Sequence, residues 1–179
     1  YRKDYVNNLK KYAVMIYSDL SGNKELFDLS YKCNVGNISE LDKNSIKNIF
    51  QEKINKNIEY EIHKGTSLYG PHKDDLVIKI NDKECKYFAS QGQQRSAVLA
   101  LKLAEIEIIK SEIGEYPVLL LDDVLSELDN TRKGYLIKYI KGIQTVITTT
   151  DDNDLKILTQ NYDKKFFYIN EGRIGNITN

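Results

Sequence analysis

The chain has 179 residues, 41% hydrophobic and 29% charged, the balance of an ordinary globular protein with room for one good core and a smaller appendage. Its 26 basic and 26 acidic residues cancel, which removes any global electrostatic case for nucleic acid and leaves only a local patch to consider. No apolar run approaches the roughly 20 residues of a membrane-spanning helix and nothing at the start reads as a signal peptide; Cys33 and Cys85 show no metal or redox spacing, so reduced thiols and a cytoplasmic location are expected.

Residues 1–20 set Val6, Leu9, Ala13, Ile16 and Leu20 three or four apart, which predicts an amphipathic helix. Arg2, Lys3, Lys10 and Lys11 near its start suit either DNA phosphates or a plain solvated face. Ser21-Gly22-Asn23 breaks the helix, and residues 25–33 then alternate as a strand does. Residues 34–44 read as loop. A second helix is expected over 45–60, with Ile46, Ile49, Ile54 and Ile58 on its inner side. Beyond Gly65, "LVIKINDKECKYFA" predicts a hairpin of two strands turning at Asn81-Asp82. The longest helix is expected over 90–113, where Ala97, Leu101, Ala104 and Ile108 recur at helical spacing and Gly114 caps the end. "PVLLLDD" has a continuous apolar run, which suits a strand buried on both faces of a parallel sheet. A helix over 130–140, the β-branched strand "QTVITTT", a short helix over 151–160 and a hairpin around Glu171-Gly172 complete the chain. The strand–helix–strand order from residue 117 onward is the signature of an α/β fold with a parallel sheet.

Two stretches carry chemistry. "VLLLDDVLSELD" ends a strand in two acids, Asp122 and Asp123. At the carboxyl edge of a parallel sheet, where open α/β folds bind ligands, one carboxylate can hold Mg²⁺ and its neighbour can position or activate water. The same pair also reads as a loop followed by a helix cap. In "SQGQQR", Ser90 is a candidate N-cap, and Gly92 sits in the first helical turn, where glycine lowers stability by roughly 1 kcal/mol against alanine. A glycine there lets an anion approach the free N–H groups closely; a plain capped helix is the alternative. "GTSLYGPHK" spaces Gly65 and Gly70 as a phosphate-binding loop does, but Pro71 and His72 stand where lysine and serine or threonine are required, so it is a false match.

Together these pieces resemble the RecF family of ABC-type, SMC-like ATPases. "SQGQQR" is similar to the family's signature motif, Val118 to Asp123 to its Walker B strand, "SELDNTRKGYL" to its D-loop and following helix, and "GPHKDDL" to another stretch typical of it. Thr150 stands where related ATPases carry a switch histidine. The resemblance runs along the chain and is strongest from Gly70 to Asp151. It implies the C-terminal half of such a protein: residues 1–62 as the remainder of a helical arm, and residues 63–179 as the C-terminal part of an ATPase head, mainly parallel sheet with flanking helices. It also implies a composite site between two heads. Ser90, Gln91, Gly92 and Gln93 would bind ATP held by a partner subunit, Asp122 would help hold Mg²⁺, and Asp123 would act on the water. Ser126 and Asp129 would form the D-loop, with Asp129 bridging the dimer. The family role so implied is ATP-dependent binding of double-stranded, gapped DNA by a homodimer. The resemblance further implies partners RecR and RecO, with which such a protein would help load RecA at gaps, and a part in DNA replication, recombination, repair and the SOS response. Without the P-loop, ATP and Mg²⁺ would not be held productively by this stretch alone, which is expected to be inactive by itself. Two other readings stay open: a nucleotide-fold interaction module, and a different SMC-like head.

Overall fold

A computed structural model describes residues 1–38, 40–151 and 164–178. The short helix expected over 151–160 lies almost wholly outside them. The chain divides into two compact units, Tyr1–Ile108 and Ile109–Asn179.

The first unit is built on helix α1, Arg2–Leu20, which buries Val6, Leu9, Ala13, Ile16, Tyr17 and Leu20, the stripe its spacing predicts. That stripe lies on strand β1, Phe27–Lys32, and the Tyr17 and Phe27 rings stack with centroids 4.8 Å apart. Strand β2, Asp75–Ile80, pairs antiparallel with β1, Phe27 opposite Ile80 and Lys32 opposite Asp75. Strands from the stretches expected to belong to the arm, 1–62, and to the head, 63–179, thus pair in one sheet.

Helix α2, Lys43–Lys64, is capped at its start by Asp42, whose carboxylate accepts from the Ser45 N–H, and closed by Gly65 in the left-handed conformation. Here the structure corrects the sequence reading. None of the described residues of α2 is buried: Ile46, Ile49 and Ile54 are half-buried and Ile58 is 48% exposed, so the described residues cover the expected inner face only in part. The expected hairpin is also shortened. Asn81 and Asp82 both take positive φ, as a tight turn of this hand requires, but strand β3 is only Lys83–Glu84. Helix α3, Cys85–Phe88, replaces the rest of the second strand and turns Cys85 into the core.

Between α2 and β2 the "GPHKDD" segment is tied down from several sides. Asp74 accepts from the Tyr31 hydroxyl and from the Asn34 N–H at 2.7 Å. The Asn34 side chain donates to the Leu68 carbonyl at 2.9 Å and accepts from the Gly70 N–H at 3.3 Å. The Arg2 guanidinium donates to the Pro71 carbonyl. Gly70 has φ +149°, and a Cβ there would lie 2.8 Å from the His72 ring. Burial, then the hydrogen bond and charge of Asp74, push the Tyr31 phenol up to about 12. Burial also opposes ionisation of Asp74, yet its hydrogen bonds from Tyr31, the Asn34 N–H and Cys33, with the Arg2 charge, hold its carboxyl below the ordinary range. An unfolded tyrosine titrates near pH 10. The stabilisation from Tyr31 is thus fully present below about pH 10 and lost as pH rises towards about 12. Urea midpoints at pH 9 and 11.5 should fall further for the native chain than for Tyr31→Phe; equal falls in both would refute this linkage.

Helix α4, Gln91–Ile113, crosses the boundary between the units. It buries Ser96, Ala97, Leu99, Ala100, Leu103, Ala104, Ile106 and Ile108, a wider surface than the single expected stripe. Gly114 ends it at φ +89°, donating its N–H to the Lys110 carbonyl at 2.8 Å.

In the second unit, strand β4, Leu119–Asp122, pairs in parallel with β5, Thr145–Thr148, through helix α5, Asn130–Tyr139, which buries Leu136 and Ile137. This is the strand–helix–strand crossover the sequence predicts, and the chain is α/β. The other pairings are antiparallel: β1–β2–β3, and the hairpin of β6, Phe166–Asn170, with β7, Arg173–Thr178. The expectation that β4 is buried on both faces is not met within this chain. Leu121 is buried, but Val118, Leu120 and Val146 are 56%, 72% and 53% exposed. A parallel sheet hides both faces only when layers cover both, and the described chain supplies two of its strands.

Candidate functional site

The signature segment opens α4 in the first unit. Ser90 and Gln93 form a reciprocal cap: the Gln93 N–H donates to Ser90 Oγ at 3.2 Å, and the Ser90 N–H donates to Gln93 Oε1 at 2.8 Å. The Gln93 amide then donates to Glu25 Oε1 at 2.7 Å, and Glu25 Oε2 accepts from the Tyr17 hydroxyl at 2.5 Å. Gln93 is thus anchored to the end of α1, while Ser90 and Gln91 are exposed. Gly92 is helical and absent from the positive-φ positions, so its backbone is one any residue adopts. Its carbonyl accepts from the Ser96 hydroxyl at 2.8 Å. In the first turn the N–H groups of Gln91 and Gly92 have no acceptor within the helix, because none precedes them.

The acidic pair ends β4 in the second unit. Asp122 and Asp123 are both exposed at the carboxyl end of the strand. Asp123 has φ 51° and ψ 20°, a left-handed conformation that turns the chain out of the sheet. Its N–H donates to Thr148 Oγ1 at 3.0 Å, and the same hydroxyl donates to Asp122 Oδ1 at 2.5 Å. Spacing along the chain did not single out Thr148; only the parallel register, which sets it opposite Asp122, makes it visible. A 3-10 turn, Val124–Glu127, follows, with the Ser126 hydroxyl donating to the Asp123 carbonyl at 2.8 Å. Asp129 is the N-cap of α5, accepting from the Arg132 N–H at 2.9 Å and pairing with the Arg132 guanidinium. The Arg132 N–H bond and charge hold the Asp129 carboxyl below the ordinary range. Thr150 is exposed just beyond β5.

Asp122 offers Mg²⁺ one hard carboxylate oxygen ligand, and an octahedral cation would draw the rest of its shell from phosphate and water. Among the described residues no three His, Cys, Asp or Glu side chains group to hold a metal by themselves. No described helix is long and apolar enough to cross a membrane.

The α/β core, with a parallel strand ending in two acids and a helix opening on a capped glycine, has the fold of part of an ABC-type, SMC-like ATPase head. No family model matches the chain. The DNA replication and repair proteins RecF of Alkaliphilus oremlandii and Staphylococcus carnosus are each 42% identical to it, along 97% of its length. Among solved structures, the recombination mediator protein RecF-ATPrS in the RecFOR pathway covers 97% of the chain at 34% identity and a TM-score of 0.79. An SMC head bound to the C-winged helix domain of ScpA, at 15% identity and a TM-score of 0.54, shares the fold. Over the stretch it spans, the chain belongs to the RecF family. It spans about half the length of the curated relatives it matches, 47% for the two named, and a C-terminal half fits that share.

Proposed function

We propose that the chain is the C-terminal half of an ATP-dependent DNA-binding recombination mediator, supplying the signature helix and the Walker B strand to ATP sites formed between two heads. The observation that carries this reading is Asp122 and Asp123 at the exposed carboxyl end of a parallel strand, in a chain 42% identical to RecF proteins. In this reading Asp122 holds Mg²⁺, which when bound neutralises charge on the phosphates. The Asp123 carboxylate accepts a proton from the attacking water. Ser90 has accepted the Gln93 N–H and keeps its own proton to donate. That proton, with the N–H groups of Gln91 and Gly92, is offered to the γ-phosphate of ATP on the partner subunit. Gln93 positions this tip through Glu25. Asp129, besides capping α5, faces the partner at the dimer contact, and the Thr150 hydroxyl senses the γ-phosphate. ATP closes the homodimer on double-stranded, gapped DNA in the cytoplasm, where RecO and RecR act with it in loading RecA. Residues 1–62 would belong to the arm and 63–179 to the head.

The test is Asp123→Asn in the full-length protein carrying this chain. ATP turnover should fall by about 10² to 10⁴, the usual contribution of a general base, while ATP binding persists. Unchanged turnover would sink the assignment.

A further inference from the structure

Thr148 makes two hydrogen bonds that no role above uses. Parallel pairing sets it opposite Asp122, and its single Oγ serves both acidic residues. A hydroxyl has one proton and two lone pairs, so it can donate to the Asp122 carboxylate and accept the Asp123 N–H at once. The bond to Asp122 is charge-assisted, which favours one fixed orientation of the carboxylate. The bond to Asp123 restrains a non-glycine residue at φ 51°, a conformation that persists only where its surroundings enforce it.

We propose that Thr148 is a positioning residue for the acidic pair, orienting the Asp122 carboxylate and holding the left-handed turn that aims Asp123. Its neighbours are placed differently. The Thr149 hydroxyl accepts from the Asp151 N–H at 3.2 Å, and Thr150 lies past the end of β5. The rest of β5 offers Thr145, whose hydroxyl donates to the Ile143 carbonyl, and the apolar Val146 and Ile147. The Thr148 hydroxyl bridges the two acidic residues, accepting from the Asp123 N–H and donating to Asp122 Oδ1. Its role in hydrolysis rests on the ATPase reading above; its grip on the turn does not.

The experiment therefore has two arms. In this chain, amide hydrogen exchange at Asp123 is measured by NMR for the native sequence, Thr148→Val and Thr148→Ser. Valine keeps the β-branched shape and removes the hydroxyl; serine keeps the hydroxyl. Exchange at Asp123 should be about fivefold faster or more in Thr148→Val, as expected for one ordinary hydrogen bond, and near native in Thr148→Ser. In the full-length protein, Thr148→Val should lower kcat about tenfold with little change in KM for ATP, the pattern of a group acting only in the chemical step, and Thr148→Ser should restore it. Unchanged exchange in Thr148→Val overturns the proposal, as does a serine variant that behaves like the valine one. Faster exchange with unaltered kcat overturns the catalytic half of it. If Asp123→Asn leaves turnover intact, the ATPase reading fails, while the exchange arm still judges the grip of Thr148 on the turn.

Discussion

Gly92→Val in the full-length protein is expected to reduce ATP turnover by roughly 10² to 10³, because its side chain holds the phosphate away from backbone donors whose loss carries a cost of that order. The same position should respond in the opposite sense when stability alone is measured. Gly92 lies in the first turn of α4 without positive φ, so nothing in its own backbone requires glycine. Gly92→Ala should leave the isolated chain as stable or up to about 1 kcal/mol more stable in urea, because alanine loses less conformational freedom in a helix. Higher stability with lower turnover would show that the glycine serves an approaching ligand at the expense of the helix. If Gly92→Val turns over ATP normally, the signature helix does not face a nucleotide.

Leu103→Ala should destabilise the first unit by about 2–5 kcal/mol, the usual cost of a large-to-small change in a packed core. Leu103 is 1% exposed in the middle of α4, among Ala97, Ala100 and Ala104, whose small side chains let neighbours approach closely. That loss is a large share of a typical 5–15 kcal/mol. Leu120→Ala is the contrast. Leu120 is 72% exposed on β4, so its truncation should shift stability of this chain by no more than about 0.5 kcal/mol. Urea unfolding of both variants checks the pair. A large loss for Leu120→Ala would mean that the outer face of β4 is covered in solution.

Much of the fold was legible in advance. The stripe of α1, the ends of α4 at Ser90 and Gly114, the helix α5 between two parallel strands, and the β6–β7 turn at Glu171-Gly172 all appear where periodicity and turn residues place them. These are local signals, carried by side chains a few residues apart. The errors share a cause. Ile46, Ile49, Ile54 and Ile58 have helical spacing, and α2 is indeed a helix, but spacing says nothing about whether a partner covers the face. The apolar run before Asp122 reads as doubly buried, yet Val118 and Leu120 lie open because burial depends on layers that other segments must supply. At Cys85 the alternating pattern continued past the strand, and burying the thiol within a helical turn took precedence.

The chemistry divides in the same way. Residue order alone identified the acids at the end of a strand, the glycine in a capped helical turn, and the missing lysine of the false phosphate loop, because each is a short run of residue types with its own stereochemical meaning. Tertiary structure decided the rest. Asp74 meets Tyr31 and Asn34 across some forty positions, Gln93 reaches Glu25 across 68, and Thr148 reaches Asp122 across 26. No local pattern encodes such pairs. They arise only when strand register and helix packing bring distant segments within the 3 Å or so over which a hydrogen bond acts.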